Sequence, residues 1–408
     1  MRLKKISRLL LLIIYVAAAF PLQGRTPQEA LDEFTASAAI NAPKTAVLIT
    51  DLSTGRTVAS HNAGLPLVPA SIMKCVSTAS LISELGDKFR YETECFLLGK
   101  VKDGVLDGDL LIVASGDPSL NSRHFPDTPD FVGEIVDALR AEGIIEIRGK
   151  VVIDESRFAG ASVNPTWCSG DLRHAYGTGS HGFNFEDNAS GSRAVSDPAA
   201  VFRSRLGSRL DAAGIALRGE ETSPGKRRSR LLTHRSATLD EILRSCMMRS
   251  DNQFAEAILR TYGVAVGKDG STAAAAEAEL NRWRRDKAPA EGVAILDGSG
   301  LSRADRMTAD FMTHVLTRMA SDPVYASLFP LAGQEGTLRR FLAGTPLEGY
   351  AAMKTGSMNG IQCYAGYLLD DNYAPTHTIV FMLNDMANRS AARGKIADLL
   401  LEIFGPQN

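Results

Sequence analysis

Pro69-Ala70-Ser71-Ile72-Met73-Lys74-Cys75 is the stretch from which this chain of 408 residues is best read. A serine stands three positions before a lysine among apolar neighbours, and helix formers follow as far as Glu84. Residues three apart on a helix lie one above the other, with Cβ atoms roughly 5–6 Å apart. Ser71 then stands in the first turn, with the Lys74 ammonium in reach of its hydroxyl. Burial among apolar side chains lowers a lysine's pKa, and the neutral amine can take the serine proton. The spacing encodes a nucleophile and its base within four residues. Ser-x-x-Lys recurs at Ser223, but there Pro224 and Gly225 break a helix and remove the geometry.

The rest of the composition sets limits. A hydrophobic content of 44 % and a charged content of 23 % fit a soluble globular chain long enough for two domains. A net charge of −2 argues against a nucleic-acid partner, which would need a basic face. Arg2, Lys4, Lys5 and Arg8 precede an apolar run from Leu9 to Ala19, with small residues up to Gly24. Residues 1–24 therefore read as a secretory signal peptide, too short in its apolar part to favour a membrane span. The expectation is an exported, periplasmic protein with no transmembrane anchor in the mature chain. The five cysteines, Cys75, Cys95, Cys168, Cys246 and Cys363, show no paired spacing, which leaves buried thiols and disulfides both open. Neither they nor the scattered histidines suggest a metal, and no cofactor is expected.

Outward from Ser71 the texture changes twice. Residues 44–61 read as a hairpin turning at Asp51 to Gly55. From about Phe89, strand-like runs (Cys95 to Leu98, Leu110 to Ala114, Val151 to Ile153) alternate with turns and with helical patterns near 130–142 and 197–213. Trp167 to Ser192 reads as loop, and Glu220 to Arg230 as a solvated basic linker. Beyond it the pattern is helical (239–247, 253–260, 272–284, 309–319), then strand-like (351–354, 362–369, 378–383). A final helix over 390–404 carries Ile396, Leu399, Leu400, Ile403 and Phe404 on one face, read as a core face. An early hairpin and late strands predict one α/β domain built from both ends of the chain: residues 25–88 plus 236–408, with 89–235 inserted.

Two more short motifs fall in that outer frame. Ser250-Asp251-Asn252 sits between two helical patterns, and Lys354-Thr355-Gly356 lies on a candidate strand followed by Ser357. Ser-x-x-Lys, Ser-x-Asn and Lys-Thr-Gly in this order form the signature of penicillin-binding proteins and serine β-lactamases. Gly116-Asp117-Pro118-Ser119-Leu120, His234-Arg235-Ser236, Gln253-Phe254-Ala255-Glu256 and Asp297-Gly298-Ser299-Gly300 extend the likeness. From about residue 30 to its end the chain resembles the D-alanyl-D-alanine carboxypeptidase/endopeptidase family of penicillin-binding protein 4. The 179 positions from Ser71 to Ser250 suit its inserted domain, and are far more than class A β-lactamases place there.

The resemblance implies an α/β (α+β) fold: a transpeptidase/β-lactamase-like catalytic domain, antiparallel sheet with helices, carrying an inserted strand-rich domain. It implies a serine D-Ala-D-Ala carboxypeptidase, and an endopeptidase on cross-links, acting on peptidoglycan stem peptides and acylated by β-lactams. Ser71 would be the nucleophile, Lys74 its base, Ser250 a proton relay and Asn252 the residue orienting Lys74. Lys354 and Thr355 would meet the substrate carboxylate, and the Ser71 and Ser357 N–H groups would form the oxyanion hole. Gly356 would let substrate lie close to the strand, and Asp117 would face the amino end of the stem's diamino acid. Each has a plainer alternative: Asn252 a helix cap, Thr355 a strand residue, Lys354 a surface lysine, Asp117 a turn. Asp297 to Ser302 reads as a structural loop shaped by its glycines. A β-lactamase and a non-catalytic wall-binding protein remain rival readings.

Overall fold

The computed structural model describes residues 25–222 and 227–406. The expected signal peptide and the second Ser-x-x-Lys copy at Ser223 lie outside them. In chain order, helix α1 (Pro27–Ala36) precedes the hairpin β1 (Thr45–Asp51) and β2 (Thr57–His61), and a 3-10 turn (Ala70–Ile72) leads into α2 (Met73–Leu85). Next come β3 (Glu92–Lys102), β4 (Val105–Val113), α3 (Phe131–Ala141), β5 (Glu146–Ile147) and β6 (Val151–Asp154). The short pair β7 (Ala189–Ser190) and β8 (Arg193–Ala194), α4 (Pro198–Ala212), β9 (Ala216–Leu217) and β10 (Arg228–Arg235) follow. Then the chain is helical: α5 (Leu239–Arg249), α6 (Asn252–Ala265), α7 (Thr272–Arg285), α8 (Ala309–Met319) and α9 (Pro323–Ser327). Strands β11 (Ala351–Met358), β12 (Ile361–Leu369) and β13 (Pro375–Leu383) and helix α10 (Arg389–Phe404) complete it.

The first sheet has the order β11-β12-β13-β1-β2 and is antiparallel throughout. Successive side chains of a strand point to opposite faces, so an apolar run without alternation implies a sheet covered twice. Ala46 and Leu48 of β1, with Val380 and Met382 of β13, pack into the cluster formed by α2, α6 and α8. Val47 and Ile49, with Ile379, Phe381 and Leu383, pack under α1 and α10. Ile396, Leu399 and Leu400 of α10 are buried there. The unbroken Ala46 to Ile49 run is a central strand between two helical layers.

A second sheet, β10-β3-β4-β5-β9 with β6 beside β4, is mixed. Its separate cluster packs Phe131 of α3 and Phe202 of α4 with Phe183 and Phe185. The expected solvated linker is corrected here. Its Arg228 to Arg230 open strand β10, which pairs with β3, and the Arg228 guanidinium lies 3.6 Å over the Phe96 ring. Basic side chains can cover an aromatic face while their heads stay wet.

Candidate active site

Ser71 lies in the 3-10 turn that opens α2, and Ala70 before it has φ +47°. A non-glycine residue there is strained and persists only where its surroundings hold it. Gly300 is part of that hold: its φ is +75°, and a Cβ on it would stand 1.8 Å from the Ala70 carbonyl oxygen. Ser250 has φ +59° and ends α5 in the left-handed region, while the Asp251 side chain caps α6 by accepting from Phe254 N at 3.1 Å. Ser-Asp-Asn is thus a tight corner between two helices. The cap is Asp251, which leaves Asn252 free for other contacts.

Those contacts assemble the site. Lys74 Nζ donates to Ser71 Oγ at 3.1 Å, Asn252 Oδ1 at 2.7 Å and the Ser299 carbonyl at 2.7 Å. Asn252 Nδ2 in turn donates to the Tyr176 carbonyl at 2.8 Å, which turns its oxygen toward Lys74. Lys354 Nζ donates to Ser250 Oγ at 2.9 Å and to the Thr355 carbonyl at 2.8 Å. Both lysines are fully buried. Burial pushes Lys74 below the usual lysine range, and Cys246, Asp297, Asp251 and Glu256 oppose that shift only in their charged forms. Burial and then the nearby Lys74 charge push Lys354 down to about 7. A lysine kept from its charge is a base at neutral pH.

The expected residues are brought together, and four of them make contacts that the motifs alone do not foretell. Lys354 is enclosed and meets Ser250 directly. Thr355 is buried and its Oγ1 hydrogen-bonds Thr337 Oγ1 at 2.8 Å. Gly356 makes room for protein backbone: a Cβ there would stand 2.7 Å from the Pro69 carbonyl oxygen and 3.1 Å from Ser71 N. Its lack of a side chain lets β11 run against the nucleophile's turn.

Asp117 is the fourth. It is buried, its Oδ1 accepts from Ser119 N at 2.7 Å and Ser119 Oγ at 2.6 Å in a local turn, and its Oδ2 has no partner among the described residues. The cavity of about 420 Å³ that holds Ser71, Ser250, Asn252 and Ser357 is edged instead by Asp171, Tyr176 and Arg303. Tyr176 Oη donates to Asp171 Oδ1 at 3.0 Å. The sequence alone points to no role for these three. Asp171 lies on irregular backbone and Tyr176 in a 3-10 turn (Ala175–Gly177) too short to show a period, and Arg303 looks like any exposed arginine. A larger cleft of about 770 Å³ near Arg244 and Tyr373 has no nucleophile–base pair. Chemistry, not volume, selects the site.

The family model described as the D-Ala-D-Ala carboxypeptidase 3 (S13) family matches residues 27–191 and 184–402. The chain belongs to this family. It is a carboxypeptidase of the serine class. It is 25% identical over 433 residues to the D-alanyl-D-alanine carboxypeptidase of an Actinomadura species, covering 84% of this chain and 78% of that one. With the D-alanyl-D-alanine carboxypeptidase DacB of Haemophilus influenzae it shares 23% over 393 residues, 78% of this chain and 81% of the relative. Its fold matches the crystal structure of penicillin binding protein 4 from Haemophilus influenzae with a TM-score of 0.79 at 21% identity, over 92% of this chain and 99% of that one. A predatory peptidoglycan endopeptidase from Bdellovibrio bacteriovorus matches with a TM-score of 0.55 at 17% identity, over 89% and 93% of the two chains. The expected family and α/β fold class stand.

Proposed function

We propose that this carboxypeptidase removes the terminal D-Ala from peptidoglycan stem peptides through an acyl-enzyme on Ser71. The observation that carries the reading is the Lys74 amine, 3.1 Å from Ser71 Oγ and fixed by two further acceptors. Ser71 Oγ attacks the carbonyl carbon of the penultimate D-Ala and its proton passes to Lys74 Nζ. The oxyanion is met by the Ser71 and Ser357 N–H groups. Collapse breaks the C–N bond. The departing amine takes a proton through Ser250, which Lys354 orients, and free D-Ala leaves. Water then hydrolyses the ester and returns Ser71.

Asn252 holds Lys74, while Lys354 supplies a positive field for the terminal carboxylate and Thr355 helps hold β11 in place. The carboxylate of Asp171 and the guanidinium of Arg303 on one cavity edge suit a zwitterionic diamino-acid side chain, the place expected for Asp117. The same serine is open to β-lactams, and cross-links with a free D-centre are open to endopeptidase cleavage. Residues 25–88 and 236–408 form the catalytic domain in this reading, residues 89–235 the insert with its own buried cluster, and the protein works in the periplasm after export by residues 1–24. No helix among the described residues is long and apolar enough to cross a membrane.

Incubation with a pentapeptide stem followed by mass spectrometry tests the reading. Loss of one alanine, abolished in Ser71→Ala, is expected. An unchanged peptide alongside rapid penicillin turnover would make the protein a β-lactamase.

A further inference from the structure

Helix α6 presents Asn252, Glu256 and Arg260 at four-residue intervals, which places them on one face. All three are buried, Glu256 to 2 % exposure. Asn252 meets Lys74 directly. Glu256 lies one turn deeper and does not line the cavity. Its Oε1 accepts from Gly298 N at 3.0 Å and from Ser299 N at 2.9 Å. The carbonyl of that same Ser299 accepts from Lys74 Nζ at 2.7 Å, and the carbonyl of Gly298 accepts from Ser77 Oγ on α2 at 3.0 Å. Asp297 braces the other end, its Oδ1 accepting from Gly300 N at 2.6 Å and its Oδ2 from Ser302 N at 2.7 Å and Trp167 Nε1 at 2.8 Å.

We propose that Glu256 is a positioning residue for the base: its carboxyl clamps the Gly298–Ser299 turn so that the Ser299 carbonyl stays aimed at Lys74 Nζ. The inference rests on Lys74 acting as the base toward Ser71. A buried carboxylate this close to the base would also favour the ammonium form and spoil it. Burial, reinforced by Asp297, pushes the Glu256 carboxyl up to about 8, so at neutral pH it serves as a hydrogen-bond acceptor without a charge. Asp297, Asp305, Lys74, Cys246 and Arg260 are the titratable groups that face it. Lys74 itself is faced by Cys246, Asp297, Asp251, Glu256 and Lys354. Glu256 Oε2 is buried and has no partner among the described residues, which leaves it as the oxygen that carries the proton of the neutral carboxyl.

The test follows acylation of the full chain by a fluorescent penicillin across acidic to alkaline pH, with thermal unfolding alongside. Glu256→Gln keeps an uncharged oxygen for both N–H groups. Its acylation rate at neutral pH stays within about threefold of the parent, with the acid limb of the profile in place. Glu256→Ala frees the turn. Its rate falls by about tenfold or more, and the acid limb moves to lower pH because the Lys74 ammonium loses a carbonyl that favours it. Should the alanine variant not fold, Glu256→Asp, one methylene short of the turn, is expected to shift rate and limb in the same direction. A glutamine variant as impaired as the alanine or aspartate one overturns the proposal, as does an alanine or aspartate variant with parental rate and profile. In either case labelling of the parent at Ser71 leaves the proposed function standing.

Discussion

On one wall of the cleft, Ser71, Lys74, Ser250 and Lys354 stand at helix ends and on a strand, and the two amines are enclosed. On the other, between β6 and β7, Asp171 stands on irregular backbone and Tyr176 in a single 3-10 turn (Ala175–Gly177). That backbone is held from α6, where the Arg260 guanidinium donates to the carbonyls of Ala159 at 2.8 Å and Ala161 at 3.4 Å and to that of Ser180, and also to that of Gly270, in the loop after α6, at 2.8 Å. Asn164 Nδ2 and Trp167 Nε1 add bonds to Leu296 O at 2.6 Å and Asp297 Oδ2 at 2.8 Å. The reactive wall needs side chains with displaced pKa values, which regular elements and burial provide. The opposing wall takes its shape from buried donors that satisfy backbone carbonyls, with little secondary structure.

The largest effect that separates the walls is on chemistry. Lys74→Ala is expected to slow acylation by about 10³-fold, measured by fluorescent-penicillin labelling, because the serine loses its general base. A near-normal rate would move the base elsewhere. Next is Arg260→Met, which leaves several buried carbonyls without a donor. It is expected to cost about 3 kcal/mol in chemical denaturation, and an unchanged midpoint would show that water replaces the clamp. Asp171→Asn is expected to lower kcat/KM about tenfold for stems with a diamino acid while leaving penicillin acylation alone. An equal loss on both substrates would make the residue structural. The smallest effect comes from pH. Lys354, pushed down to about 7, loses its charge as pH rises through that value. The kcat/KM for a free terminal carboxylate should therefore decline severalfold above it. A carboxyl-capped substrate is expected to show no such limb.

Legibility in the sequence follows the same division. The outer frame could be read because β1 is apolar without alternation, and α8 and α10 carry a helical period. Ser71, Lys74, Ser250, Asn252 and Lys354 could be read because their spacing is itself geometry: a turn of helix, a helix corner, a strand. Glu256 stands four residues after Asn252, so its face was readable, though not what it touches. Asp117 is harder to read because Gly-Asp-Pro marks a polar turn, and one oxygen of its carboxylate is used within that turn by Ser119. Asp171 was hidden because a loop residue's direction depends on anchors far along the chain, here Arg260 and Asn252. The basic run at Arg228 looked like solvent-facing linker because stacking on Phe96 depends on a partner strand more than a hundred residues away. Helix α1 went unread despite legible signals, since Thr26 and Glu29 form a capping box with Pro27 at the first helical position.

The pairing of β1 with β13 has a consequence in time. Thr45 lies opposite Leu383, so the strand at the heart of the catalytic sheet is synthesised near the start and finds its second neighbour only near the end. Until then β1 has β2 alone, while β3 and β4 can pair locally and begin the other sheet. A strand apolar on both faces with an open edge invites association with other chains. The interval between making β1 and making β13 is therefore when this protein is most exposed to aggregation, and any factor that shields its early hairpin would act then.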